Sequence, residues 1–250
     1  METGELGLFL NNLLKISEIH DDSLNGLQVA NSGSVRKVAL AVDVSLAAIV
    51  EAGKLHADML FVHHGQFWGK PVALTAGVYK RIRALMDADM ALYAAHLPLD
   101  LHPELGNNAQ IEKILEFPVK RDFGDYHGTV IGKEVVFNEP VSVEAIVERM
   151  RKGLNCDPKV WRFGPDKISR LGYVSGGAIS MMDQAVQAGM DAYITGEPAH
   201  SAYWTAREAG IHVIFGGHYA TETLGVKAVG EVIHKEFGLE TVFIDLPTGY

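Results

Sequence analysis

Three short segments of the chain end apolar runs in side chains that hold metals: His63 and His64 after MLFV, His96 with Asp100 in AAHLPLD, and His218 with Glu222 in GGHYATE. Imidazole and carboxylate are the donors that bind zinc, manganese, iron and related divalent ions. Six such groups exceed what one ion normally takes, so the sequence predicts a two-metal site. His63 and His64 are adjacent and would face opposite sides of a continued strand; a turn at Gly65 would let each address a different ion. His96 and Asp100 lie four apart around Pro98. His218 and Glu222 lie four apart at a helix start, where i and i+4 share one face. A carboxylate has two oxygens and can bridge two ions. Either Asp100 or Glu222 can do so, and Glu222 is favoured because a helix fixes it.

Two bridged ions lower the pKa of a shared water from about 15.7 towards about 7 and polarise carbonyl or phosphoryl oxygens, which is hydrolytic chemistry. With the histidines and carboxylates spent as ligands, a general acid or base must come from elsewhere. His127, at a predicted hairpin, and Glu197, in DAYITGE, are the catalytic candidates. His20, His56, His102, His200, His212 and His234 read as capping, packing or surface residues. Gly176-Gly177 reads as a tight strand-to-helix turn in preference to an anion cradle.

The ligands need a scaffold that brings strand ends together. Short β-branched and apolar runs alternate with helical patterns: VRKVALAVDV then SLAAIVEAGKLH, DMLFVHH then TAGVYKRIRALMD, MALYAAH then GNNAQIEKILE. That rhythm predicts an α/β fold with largely parallel sheets, whose ligands bind beyond the carboxyl ends of the strands. From Tyr126 to Phe137 the alternation around Gly132 and Lys133 predicts an antiparallel hairpin and a second lobe. The expected division is lobe one over 1–125 plus 216–250 and lobe two over 126–215, with the metal site in a cleft at the strand carboxyl ends. A weak repeat supports two related halves: the strand from Val35, its helix ending Glu51-Ala52-Gly53 and the strand from Asp58 resemble the strand from Ile168, its helix ending Gln187-Ala188-Gly189 and the strand from Asp191. In that alignment His63-His64 and Thr195-Gly196-Glu197 occupy equivalent strand ends.

Composition sets the remaining limits. At 250 residues and 48% hydrophobic content the chain can bury a large core. A net charge of −9 offers no basic field for a phosphate backbone, so nucleic acid is an unlikely partner. Only Cys156 is present, which excludes an intrachain disulfide and fits a reducing compartment, so a cytoplasmic protein is expected. No signal peptide or membrane-spanning stretch is predicted. There is no G-x-x-x-x-G-K-[ST], G-x-G-x-x-G or G-x-S-x-G motif, leaving metal chemistry as the supported kind.

The segments N25-G-L-Q-V29, V62-H-H-G65 with Phe67, H96-L-P-L-D100, D191-A-Y-I-T-G-E197 and G217-H-Y-A-T-E222, in that order, resemble the dinuclear-metal family of GTP cyclohydrolase I type 2 homologues, also called the Ngg-interacting-factor-three-like family. The resemblance implies one such unit over residues 1–250. It implies that His63, His64, His96, Asp100, His218 and Glu222 bind two divalent ions (zinc, manganese, iron, nickel or magnesium) and that subunits assemble as a ring-like hexamer. The chain departs from the pattern at Gly65-Gln66, where many members carry proline, which leaves the ligands intact but alters the local turn. A metal-dependent hydrolase of a small polar or nucleotide-like substrate is the leading expectation; a non-catalytic metal-binding or metal-insertion factor or interaction scaffold is the alternative.

Overall fold

Val38-Ala39-Leu40-Ala41-Val42 and Met59-Leu60-Phe61-Val62 are short and apolar on both faces, the pattern of strands covered on two sides. The computed structural model, which describes all 250 residues, places both at the centre of a parallel sheet. In chain order the first elements are α1 (Thr3–Leu13), β1 (Gly26–Val29), β2 (Lys37–Asp43), α2 (Leu46–Lys54), β3 (Met59–His64), α3 (Ala76–Asp87), β4 (Ala91–Ala94) and the single turn α4 (Leu97–Asp100). There follow α5 (Asn107–Leu115), β5 (Val119–Tyr126), β6 (Thr129–Val141), α6 (Val143–Leu154), β7 (Lys159–Trp161) and β8 (Ile168–Tyr173). The chain ends with α7 (Met182–Gln187), β9 (Ala192–Thr195), α8 (Ala202–Ala209), β10 (His212–Phe215), α9 (His218–Phe237) and β11 (Glu240–Phe243).

Two compact units result, one of Met1–Leu105 with Gly225–Leu246, the other of Gly106–Leu224 with Pro247–Tyr250. In the first, the strand order is β1-β4-β3-β2-β11, parallel except for β1 at one edge. Strand alternation sends Val38, Leu40, Phe61 and Tyr93 against α1 and the later turns of α9, where Leu6, Leu10, Val226, Val229 and Ile233 are buried. The opposite face, Ala39, Ala41, Leu60, Val62 and Leu92, packs on Ile49 of α2 and Leu85 of α3. Each such large side chain contributes about 1.5–3 kcal/mol on burial, against about 1 kcal/mol for a cap bond such as Ser45 Oγ accepting from Ala48 N. Packing of the two faces therefore sets the register, and caps only trim the helix ends.

The second unit has strand order β5-β6-β8-β9-β10-β7, with β8, β9 and β10 parallel and the outer strands antiparallel. Ile111 and Leu115 of α5 and Ile146 and Met150 of α6 cover Val135, Leu171, Tyr173, Ile194 and Ile214. The observed boundaries therefore differ from the expected 125/126 and 215/216. Residues 106–125 belong to the second unit because the apolar side of α5 is buried there, and Leu224 packs on the same core. The hairpin also differs. It turns at His127-Gly128, with φ of 52° and 89°, whereas Gly132 lies inside β6. There an added Cβ would come within 2.5 Å of Val174 Cγ2, so Gly132 permits close packing and does not make a turn.

The internal repeat has an atomic basis. Asp58 Oδ2 accepts from Arg36 N and Lys37 N at 2.8 and 3.1 Å, and Asp191 Oδ2 accepts from Ser169 N and Arg170 N at 2.8 and 3.0 Å. In each unit an aspartate opening the second parallel strand clamps the start of the first. No helix is long and apolar enough to cross a membrane.

Candidate metal centre

The end of β3 and the turn after β4 deliver three histidines of the first unit to one place. His63 is fully buried, and its Nδ1 donates to the Ala95 carbonyl at 2.9 Å. His64 Nδ1 donates to Asp43 Oδ1 at 2.8 Å, the aspartate closing the neighbouring strand β2. His96 stands at the N-cap of α4, its N–H donating to Asn25 Oδ1 at 2.8 Å and its Nδ1 lying 3.1 Å from both Asp21 oxygens. Carbonyl and carboxylate oxygens only accept, so each of the three rings carries a proton on Nδ1, which leaves Nε2 as the nitrogen suited to a metal. One ligand atom from each ring lies within 4.8 Å of those from the other two. Alternation would have separated His63 from His64, yet their ring centroids are 4.6 Å apart at the strand end.

Asp100 closes this group on the α4 turn. Its Oδ2 lies 3.5 Å from His63 Nε2, and its side chain is 8% exposed. A lone pair and a carboxylate directed at one another in a buried place suit a shared cation, and three imidazoles with a carboxylate match the N/O preference of zinc, iron, manganese and nickel. The residues fit a divalent metal. Asp21 reaches a pKa of about 2: burial pushes it up, but the hydrogen bond and charge of His96 and the amide of Asn25 outweigh this. Trp68 flanks the cluster, its ring 5.0 Å from that of His96 and its Nε1 donating to Gly65 O at 2.9 Å. Glycine at 65 is required, since a Cβ would sit 2.5 Å from that of Ala94 and collide with the Gln28 amide, whose Oε1 accepts from Gln66 N at 2.7 Å.

The second unit carries a pair that could hold a metal. His218 and Glu222 open α9, with His218 Nε2 3.2 Å from Glu222 Oε2 and Nδ1 3.2 Å from Glu197 Oε2. Burial opposes charge on this ring, but Glu222, by hydrogen bond and charge, and then Glu197 raise its pKa to about 9. Glycines surround it for steric reasons. A Cβ on Gly176 would collide with Glu222 Oε1, one on Gly177 would lie 3.3 Å from His218 Cε1, and one on Gly196 would lie 2.6 Å from His218 Cα. Thr221 Oγ1 accepts from Gly176 N at 3.0 Å, tying this turn to α9.

Glu197 is therefore beside His218, and it also lines a recess of about 570 Å³ with Gly196, Pro198, Gly217 and Tyr219. His127 is not in that group: it is exposed at the hairpin tip, its ring against Tyr126 at 4.5 Å. The other histidines that the structure explains are structural. His212 is held between Gly164 N and Pro165 O, His234 bonds Leu239 O at the end of α9, and His102 accepts from Glu104 N and Leu105 N. Sequence reading missed Asp21, Asp43 and Trp68. Asp43 had a signal, as a carboxylate at a strand end, whereas Asp21 lies in an irregular loop where spacing carries no information.

Comparison with known proteins agrees with this architecture. The family model described as Duf34/NIF3 (NGG1p interacting factor 3) matches residues 1–249. A protein of Pyrococcus horikoshii named GTP cyclohydrolase 1 type 2 homolog is 44% identical over 250 residues, covering 100% of both chains. The solved structure of protein ybgI, described as of unknown function, superposes with a TM-score of 0.93 at 34% identity over 100% of both chains. A crystal structure from Thermus thermophilus gives 0.90 at 37% identity, again over 100% of both.

Proposed function

The chain belongs to the Duf34/NIF3 family, and from that premise we propose that it binds two divalent metal ions and uses them to hydrolyse a small polar or nucleotide-like substrate. The observation that supports this most is the three-histidine cluster, in which every Nδ1 is engaged and one ligand atom from each ring lies within 4.8 Å of the others. His63, His64, His96, Asp100, His218 and Glu222 would supply the ligands. When bound, such ions supply Lewis acidity and a nucleophile competent at neutral pH.

The chain's own residues set up the rest. Asp43, Asp21 and the Ala95 carbonyl keep three rings in one tautomer, and Glu197 orients His218 from the opposite side of its ring. Glu197 is also half-exposed towards the recess, a position from which a carboxylate can accept a proton from a substrate or an attacking water. It takes the proton-handling role in this reading, and His127, at the hairpin tip, takes none. The relatives' name directs the substrate class towards nucleotides. The family resemblance further supports assembly as a ring-like hexamer, which light scattering would test as a particle of six chain masses.

Metal analysis of protein purified without added metal, followed by a turnover screen on nucleotides, phosphoesters and cyclic amides, tests the proposal. About two ions per chain and metal-dependent turnover abolished in Glu222→Ala are expected. One ion or none overturns the dinuclear reading, and full occupancy without turnover on any class favours the metal-binding or metal-insertion factor.

A further inference from the structure

The side chain of Asp21 is 3% exposed, and Ser23 N, Asn25 Nδ2, His96 Nδ1 and Leu97 N all donate to it at one corner of the histidine cluster. Its two oxygens each lie 3.1 Å from His96 Nδ1, Oδ2 also accepts from Asn25 Nδ2 at 2.9 Å and from Leu97 N at 3.0 Å, and Oδ1 accepts from Ser23 N at 3.1 Å. Asn25 in turn accepts from His96 N at 2.8 Å. The backbone and the ring of His96 are thus both held by one loop, residues 21–25, that contributes no ligand itself.

We propose that Asp21 is a positioning residue of the metal centre, which locks His96 in the Nδ1–H form and so dedicates its Nε2 to the ion. The inference rests on the reading of His96 as a ligand. Its physical basis is general: a neutral imidazole has one donor and one acceptor nitrogen, and a carboxylate at one of them decides which is which. Such a partner also raises the basicity of the other nitrogen, and its loss typically costs 10–100-fold in metal affinity. Asp21 differs from the partners of the other two rings. His63 is held by a neutral carbonyl and His64 by Asp43, whose side chain is 43% exposed, so Asp21 is the one nearly buried carboxylate behind these three rings.

A purely structural role is the rival, since Asp21 also gathers Ser23, Asn25 and Leu97. Asp21→Asn separates the two. Its amide oxygen can still accept from backbone N–H groups, while the NH2 that replaces one of the two oxygens 3.1 Å from Nδ1 sets a donor against the ring's own N–H. In metal-free protein above pH 8, ¹⁵N NMR of the histidine rings should show wild-type His96 as the Nδ1–H tautomer and the variant shifted towards Nε2–H. Chelator competition should show zinc affinity reduced about 10–100-fold in the variant, with its thermal midpoint within a few degrees of wild type. If the variant does not fold, the wild-type spectrum alone decides: an Nε2–H tautomer at His96 overturns the inference. A variant that binds zinc as tightly as wild type overturns this inference and spares the metal reading. A wild-type protein that takes up no zinc or other divalent ion overturns both.

Discussion

His218 Nε2 lies 3.2 Å from Glu222 Oε2, one helical turn along α9, and Glu222 is buried beneath it. A helix fixes this pair more firmly than a loop would, because i and i+4 share a face whatever the rotamers elsewhere. Glu222→Ala should lower metal content from about two ions per chain towards one or none, measured by elemental analysis. His127→Ala should leave it unchanged. Equal loss in the two variants would contradict the assignment of Glu222 as a ligand.

The glycine beside this pair is equally exposed to test. Gly176 has φ of +65°, and a methyl group there would collide with Glu222 Oε1. Gly176→Ala should therefore destabilise the protein by about 1–3 kcal/mol through left-handed strain and also reduce metal content by displacing Glu222. Denaturant unfolding and elemental analysis report the two effects separately. Lost stability with full metal content would show that Glu222 accommodates the methyl.

Trp68 offers an optical readout. Its ring is 5.0 Å from that of His96, whereas Trp161 and Trp204 belong to the other unit. Titration with cobalt or copper should quench part of the indole fluorescence, and Trp68→Phe should abolish that part while retaining metal uptake. A quench undiminished by the substitution would show that no ion binds beside the three histidines.

Much of this centre was legible in the sequence because strand ends are. MLFVHH and ALYAAH are apolar runs whose buried length dictates where the polar side chains emerge, and the α9 pair announces itself by helical spacing. Asp21 was not legible, since loop residues 21–25 follow no period and owe their place to hydrogen bonds with α4. Gly132 misled for a related reason: glycine marks close backbone approach as readily as a turn, and only the neighbours Val174 and Phe123 distinguish the two. The extent of the second unit was hidden in α5, whose apolar face does not state which core it joins.

Glu134 provides a pH test away from the metal centre. Its side chain is 3% exposed, and it receives Arg170 Nε and Nη2 at 3.1 and 2.8 Å and Arg121 Nε at 2.5 Å. Burial pushes its pKa up, but the two guanidinium groups, Arg170 first, bring it below the ordinary 4.5. A depressed carboxylate contributes stability that is present above its unfolded pKa and lost as pH falls through its folded one. Glu134→Gln should therefore lower the thermal midpoint at pH 6 and differ progressively less from wild type below pH 4.5. A constant difference down to pH 3 would assign the effect to shape and not to charge.

The paired clamps of Asp58 and Asp191 bear on descent. Two aspartates making the same bonds to the same backbone positions are what a single ancestral segment leaves when it is copied and joined to itself. Both segments carry the brace that starts the strand and differ at the opposite end, where one has His63-His64 and the other Gly196-Glu197. The shared brace fixes where each strand begins and leaves its far end to carry different side chains.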